Sequence, residues 1–96
     1  FVLEVDLHIE KLVPKKKGLS NYDILNIQME TAKRQLNFAM QNRMPKVVFI
    51  HGVGEGVLKA ELDFLLGRYD NVTFQDANYQ KYGLGATEVY FKQNTR

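Results

Sequence analysis

The residues in this sequence best suited to chemistry are two histidines and a run of glycines. His51 directly follows the apolar run 47–50, and Gly52, Gly54 and Gly56 come after it at alternate positions. A glycine-rich turn that leads into a helix presents backbone N–H groups and the positive end of the helix dipole, which suit a phosphate or another anion. A histidine beside such a turn can take up or release a proton near neutral pH. The pattern therefore indicates phosphate chemistry.

The glycine spacing on its own also fits a plain turn between a strand and a helix. The order Gly-x-Gly-x-Gly differs from the dinucleotide-binding fingerprint, because no acidic residue lies at the expected distance after it. It also differs from a P-loop, because no Gly-Lys-Ser/Thr closes it. The case for a functional site therefore depends on what else the fold brings to this turn.

A second group of polar residues ends the first predicted strand. Residues 2–9 alternate between apolar and polar side chains over most of their length, which is a strand pattern. Asp6 and His8 are two positions apart, so in an extended strand both side chains point to the same face. Taken singly, each also fits an ordinary surface residue, a solvated carboxylate and a solvated or capped histidine.

The strands and helices that would position these residues follow from hydrophobic periodicity. In chain order, the sequence predicts strands at 2–9, 47–50, 72–74 and 87–91, a helix from Ser20 or Asn21 to about Asn42, and a helix after Gly56. Gly67 is predicted to end the second helix in the left-handed conformation. This β-α-β-α-β-β order predicts an α/β fold, a two-layer sandwich of two helices on a mixed four-stranded sheet.

The predicted topology brings the polar residues together at one edge of the sheet. The first two strands, joined by a helix, should be parallel, so their carboxyl ends share the rim where open α/β sheets bind ligands. Asp6 and His8 end the first strand, and His51 ends the second. If the last strand runs in reverse, the turn 83–87 enters from the same rim. We therefore expect three polar or glycine-rich features to converge there.

Two stretches are predicted to be loops. Residues 11–18 contain Pro14, three successive lysines and Gly18, and we expect no regular structure in them. The lysines are either solvated or form a flexible basic arm that contacts a phosphate backbone without sequence specificity. The second predicted loop, residues 76–86, is polar and rich in tyrosine and glycine.

The totals limit the class of protein. Ninety-six residues form one domain, and its net charge of +2 is too small to indicate nucleic-acid binding without a local concentration of charge. There is no cysteine, which excludes disulfides and thiolate metal sites and fits a cytoplasmic protein. No apolar run approaches the length needed to span a membrane. Because the chain begins directly in a strand, we expect residues 1–96 to be a fragment of a longer protein.

Three blocks of this sequence resemble the signature of the Smr (small MutS-related) domain family. They are residues 5–8 (Val-Asp-Leu-His), residues 51–56 with Leu58, and residues 83–87 (Gly-Leu-Gly-Ala-Thr). The blocks occur in the family's order, and the resemblance covers nearly the whole chain. It implies a compact α/β sandwich similar to the C-terminal domain of bacterial translation initiation factor three. Members of the family have been associated with nicking of DNA or cutting of RNA.

The resemblance also implies which residues form the site. It carries over to Asp6, His8, His51, Gly52, Gly54, Gly83, Gly85 and Thr87, with Glu55 and Gly56 in the same glycine-rich block. The sequence departs from the family pattern at Ile9, where the family usually has glycine, and residues 10–19 form a basic insertion. At Lys59 the family often has arginine; the charge is kept but the bidentate fork is lost.

A nuclease hypothesis assigns roles to these residues. Cleavage of a phosphodiester requires groups that move protons and positive potential for the developing charge. His51 is the candidate acid or base, Asp6 orients a histidine or holds a divalent metal ion, and His8 moves a second proton or contacts phosphate. The backbone of residues 52–56 and Lys59 would hold the phosphate. Magnesium and manganese are both candidate ions, because one carboxylate and two histidines do not select a metal.

Two other functions fit the same sequence. One is a module that binds nucleic acid, DNA or RNA, without cutting it. The other is a protein-interaction domain of a larger parent chain that keeps the signature only for folding. The sequence does not distinguish DNA from RNA, and it does not determine the oligomeric state.

Overall fold

The fold is built on a mixed four-stranded sheet. The computed structural model describes residues 2–92. The strands are β1 (Val2–Asp6), β2 (Lys46–Ile50), β3 (Val72–Asp76) and β4 (Ala86–Phe91). They lie in the order β1-β2-β4-β3, with β1 parallel to β2 and β4 antiparallel to both of its neighbours. The predicted parallel first pair and the reversed final strand are both confirmed.

Two long helices connect the strands, and two one-turn helices lie in the longer loops. The helices are α1 (Ile9–Leu12), α2 (Asn21–Gln41), α3 (Val57–Leu66) and α4 (Tyr79–Tyr82). The hydroxyl of Ser20 accepts a hydrogen bond from the N–H of Asp23, and the Asp23 carboxylate accepts one from the N–H of Ser20, each at 3.0 Å. This capping box makes Ser20, rather than Asn21, the residue at which α2 is capped. None of the helices within residues 2–92 is long and apolar enough to cross a membrane.

The core lies between the two long helices and one face of the sheet. In β1 and β2 the residues on that face have odd numbers, and Val5, Val47 and Phe49 pack against Leu36 of α2 and Leu62 of α3. The register places Val5 beside Phe49 and Asp6 beside Ile50. Because side chains alternate along a strand, the even-numbered positions face away from the helices.

Three local predictions were wrong. Residues 9–12 form α1 rather than extended chain or loop. The side chain of Ile9 is buried and anchors this helical turn, which ends before Pro14. The loop after β3 contains α4, which Asn78 caps by accepting a hydrogen bond from the N–H of Lys81 at 2.9 Å. Gly67 ends α3 in right-handed helical geometry, with φ −64°, so no left-handed cap is present there. Residues 1 and 93–96 of the predicted domain lie outside the described residues.

Candidate functional site at the sheet rim

Asp6 and His8 form a hydrogen-bonded pair where β1 ends. The Oδ1 atom of Asp6 accepts hydrogen bonds from the backbone N–H of His8 at 3.0 Å and from its ring Nδ1 at 2.6 Å. Since Nδ1 carries the shared proton, the neutral ring keeps its lone pair on Nε2. Partial burial raises the pKa of Asp6, but the two hydrogen bonds from His8 outweigh it, so the pKa lies below its ordinary value. Asp6 is therefore ionised at neutral pH and orients an exposed histidine.

Gly52 lies against the His8 ring because it has no side chain. A Cβ atom on Gly52 would be 2.9 Å from Nε2 of His8, and a Cβ atom on Gly85 would be 3.0 Å from the Cα of Gly52. The carbonyl of Gly85 accepts hydrogen bonds from the N–H groups of His51 and Gly52, at 2.8 and 2.9 Å. The structure thus brings the ends of β1 and β2 and the turn before β4 into direct contact, as expected from the topology.

His51 directly precedes Gly52, and it is buried. Its Nδ1 donates to the carbonyl of Gly52 at 2.8 Å, and its Nε2 accepts from the hydroxyl of Thr87 at 2.9 Å. A carbonyl can only accept, which fixes the proton on Nδ1. Burial lowers the pKa of His51, and the hydrogen bond to Gly52 only partly offsets this effect. The ring is therefore neutral at neutral pH, with both nitrogens committed to holding the glycine-rich turn against β4.

The glycine-rich turn leads into α3 without a capping side chain. Gly56 precedes the helix in the left-handed conformation, with φ +86°, and no side chain of residues 2–92 accepts a hydrogen bond from the first turn. The first N–H groups of a helix have no partner inside it. They lie at a cavity of about 550 Å³ between this end of α3 and the first turns of α2. Gly54 and Glu55 are exposed at the same cavity.

Lys59 lines the cavity but is already paired. Its Nζ atom is 3.0 Å from Oδ2 of Asp63 and 3.6 Å from Oδ1 of Asp76. The hydrogen bond to Asp63 raises the pKa of Lys59 above its ordinary value. The two carboxylates compensate the positive charge of Lys59, which we had expected to bind phosphate. Sequence reasoning missed both of them, although Asp63 is four positions after Lys59 on a predicted helix, a spacing that pairs charges.

The remaining predicted site residues have structural positions. Gly83 ends α4 with φ +67°, and its N–H donates to the carbonyl of Tyr79 at 2.7 Å. Thr87 is buried, and its side-chain partner is His51. These residues shape the turn before β4, and Gly85 of that block touches Gly52.

Residues of α2 form one wall of the cavity, although the sequence predicted only a capping residue and a core-facing side for this helix. Its lining residues are Asn21, Tyr22, Ile24, Leu25 and Gln28. Gln28 donates from Nε2 to the carbonyl of Leu7 at 2.9 Å, which ties this wall to the residue before His8. The available signal was Tyr22, an aromatic residue one turn before Leu25 in the first turn of the predicted helix.

The residues at the rim do not assemble a ligand set for a metal ion. Within residues 2–92 no group of three or more histidine, aspartate or glutamate side chains could hold one. Asp6 is committed to His8, and His51 has no free nitrogen. The described residues of this chain therefore do not fit the binding of a metal ion at the rim.

Comparison with known proteins gives one consistent result. The model of the Smr domain family matches residues 25–92, a region that begins after Asp6, His8 and the basic insertion. Endonuclease MutS2 of Clostridium novyi (strain NT) is 32% identical over 97 aligned positions that cover 88% of this chain. The chain corresponds to only 12% of the length of that relative. The crystal structure of the Smr domain of Thermus thermophilus MutS2 is similar, with a TM-score of 0.73 and 25% identity, over 95% of this chain and 99% of that one.

Proposed function

This chain belongs to the Smr domain family, and on that basis we propose that it binds nucleic acid at the sheet rim and cuts a phosphodiester bond there. The relative from Clostridium novyi is named an endonuclease. The observation that carries the proposal is the Asp6–His8 pair, whose ring nitrogen Nε2 lies against the backbone of Gly52. We further propose that the domain acts in the cytoplasm as one part of a longer chain.

The phosphate would lie over the glycine-rich turn. The N–H groups at the start of α3 are not capped by a side chain, and the positive end of the helix dipole adds to their attraction for an anion. Gly52 is the point that this turn shares with His8. A phosphate bound here would therefore have hydrogen-bond donors on one side and the lone pair of His8 on the other.

His8 would move the proton. Its Nε2 accepts the proton of the attacking hydroxyl group, either water or the neighbouring ribose hydroxyl, as the new bond to phosphorus forms. The Asp6 carboxylate stabilises the resulting imidazolium, and the same proton is returned to the oxygen that leaves. A positioned acid or base of this kind contributes about 10²- to 10⁴-fold in rate. We assign this step to His8 rather than to His51, because both ring nitrogens of His51 are already bonded inside the protein.

A module that binds nucleic acid without cutting it is the second candidate. Two observations favour it: Lys59 is compensated by Asp63 and Asp76, and His8 is the one exposed histidine at the rim. Such a site would bind phosphate at the glycine-rich turn but would have less positive potential to stabilise the negative charge that develops during cleavage.

The test is a cleavage assay with the 96-residue chain. Single- and double-stranded RNA and DNA are incubated with and without magnesium or manganese, alongside His8→Ala and Asp6→Asn. Asp70→Asn, an exposed carboxylate after α3, is the matched control for the change of charge. Cutting that disappears in His8→Ala, falls in Asp6→Asn and persists in Asp70→Asn supports the nuclease. Salt-sensitive binding without cutting supports the binding module instead.

A further inference from the structure

The cavity beside the glycine-rich turn has an aromatic side chain at its mouth that contributes nothing to the core. Tyr22 lies in the first turn of α2, its residue is 71% exposed, and it lines the cavity. What distinguishes it from the other exposed aromatic residues is that it shares this cavity with apolar residues of the glycine-rich turn and of α3. The neighbouring apolar stripe of α2 is already packed against the sheet, so folding alone does not require Tyr22.

The opposite wall also presents apolar surface. Val53 follows Gly52 in the turn and Val57 begins α3, and these residues are 65% and 54% exposed. Ile24 and Leu25 of α2 and Leu58 of α3 add to the apolar lining. The cavity therefore combines apolar side chains on two sides with uncapped backbone N–H groups at the start of α3. A ligand that fits both features has a flat apolar part joined to an anion, and a nucleotide has this composition.

We propose that an unpaired nucleobase inserts into this cavity and stacks on Tyr22, so that the domain selects single-stranded or locally unpaired nucleic acid. The inference rests on the proposed function, since the adjoining phosphate would be the one bound at the glycine-rich turn. Bases in a duplex have their faces covered by their neighbours, whereas unpaired bases stack on exposed aromatic side chains.

The position of the cavity relative to His8 fits a substrate that passes across both. Gln28 lines the cavity, and its hydrogen bond to the carbonyl of Leu7 connects this wall directly to the residue before His8. Gly52 lines the cavity and lies against the His8 ring. A strand with one base on Tyr22 would thus place a neighbouring phosphate at the rim. Stacking is tolerant of base identity, so the preference is for unpaired structure rather than for sequence.

The experiment measures binding of a short single-stranded oligonucleotide that carries one fluorescent aminopurine. The matched ligands are the same strand with an abasic position in place of that base, and the same strand in a duplex. The variants are Tyr22→Ala, Tyr22→Phe and Tyr79→Ala, the last removing a 68% exposed tyrosine from α4 as a control. Thermal unfolding of each variant verifies that it is folded.

The inference predicts that Tyr22→Ala weakens single-strand binding about 10- to 100-fold and abolishes the fluorescence quenching that stacking causes. Tyr22→Phe and Tyr79→Ala should bind like the wild type, and the abasic strand should lose the contribution of Tyr22. Equal affinity and quenching in Tyr22→Ala, or a preference for duplex, would overturn it.

The two proposals fail in different ways. If the wild type quenches the probe but cuts nothing, the stacking inference stands and the nuclease does not. If Tyr22→Ala cuts and binds single strands as well as the wild type, the nuclease stands and stacking is overturned. Absence of binding to every nucleic acid at low salt would overturn both.

Discussion

The two histidines at the rim come from similar sequence contexts and reach opposite environments. Each follows the strand that it ends, and β1 and β2 are parallel neighbours. His8 is exposed, bonded through Nδ1 to a carboxylate, with Nε2 against Gly52. His51 is only 7% exposed and uses both nitrogens within the protein. The first geometry suits proton transfer, and the second suits holding a turn in place.

The difference follows from the alternation of side chains along the strands. Odd-numbered positions of β1 and β2 face the helices, and His51 continues that series after Phe49. His8 continues the even-numbered series after Asp6, which faces away from the helices. A shift of one position in either strand would have moved the histidine that follows it to the opposite face of the sheet. Position relative to the core, rather than residue type, therefore separates the two histidines.

Gly52→Ala should have the largest effect of the substitutions that test the difference between the two histidines. The new Cβ would lie 2.9 Å from Nε2 of His8, and φ of +77° is unfavourable for alanine. We expect cleavage to fall on the order of 100-fold because the ring is displaced, and stability to fall by about 1–2 kcal/mol. Gly18→Ala is the control, since its φ of +88° is equally unfavourable for alanine but a Cβ there meets no atom within 4 Å. Equal cleavage by the two variants would contradict the placement of His8.

Thr87→Val tests the structural role of His51. The substitution keeps the shape of the side chain but removes the hydroxyl that donates to Nε2 of His51. A buried acceptor left without its donor costs about 1–2 kcal/mol, which for a domain of this size lowers Tm by several degrees. Thr73→Val, at an exposed position of β3, should change stability by less than about 0.5 kcal/mol. Thermal unfolding measures both, and equal Tm values would argue against the His51–Thr87 bond.

The pH dependence of stability should report on His51 with a smaller effect. Because burial lowers its pKa in the folded protein, the unfolded chain binds more protons once pH falls below the ordinary value of 6.5. Stability should therefore be constant above that pH and decrease as pH falls from it, by at most about 1.4 kcal/mol per pH unit. His51→Gln should flatten this dependence in denaturant titrations at pH values above those where carboxylates titrate. An unchanged slope would show that another group causes it.

Substitution of the lysines after α1 should have the smallest effect, and it tests whether the nucleic acid passes along this side of the rim. Lys16 pairs with Glu10 of α1 at 2.9 Å, and α1 begins directly after His8. Lys15 and Lys17 flank this pair and are exposed. Changing both to glutamine should weaken binding a few-fold and reduce the slope of log affinity against log salt by about one for each lost phosphate contact. Changing Lys33 and Arg34 of α2 in the same way controls for net charge, and an equal loss in both would favour nonspecific attraction.

Much of the fold could be predicted from the sequence because its signals are strong and local. The capping residue Ser20, the apolar stripe of α2 and the buried run of β2 each indicate an element directly. Parallel pairing of β1 with β2 then placed Asp6, His8 and the glycine-rich turn at one rim. One-turn helices were missed because a single turn has too few residues for a periodic pattern.

The separate environments of the histidines could not be predicted in the same way. Residues 47–50 are all apolar, so the sequence alone does not show which of them face the helices. The answer depends on register, which pairs Val5 with Phe49. The pairing of Lys59 with Asp76 likewise joins residues far apart in the chain, through contacts that only the folded structure brings together.

The most direct test of the account compares single-turnover cleavage by His8→Ala and His51→Gln at a temperature where both variants are folded. Glutamine keeps a polar side chain at the buried position but cannot transfer a proton at neutral pH. The account predicts that His8→Ala loses about 10²- to 10⁴-fold in rate, while folded His51→Gln loses less than about tenfold. A loss in His51→Gln as large as that in His8→Ala, with the fold intact, would contradict the assignment of proton transfer to His8.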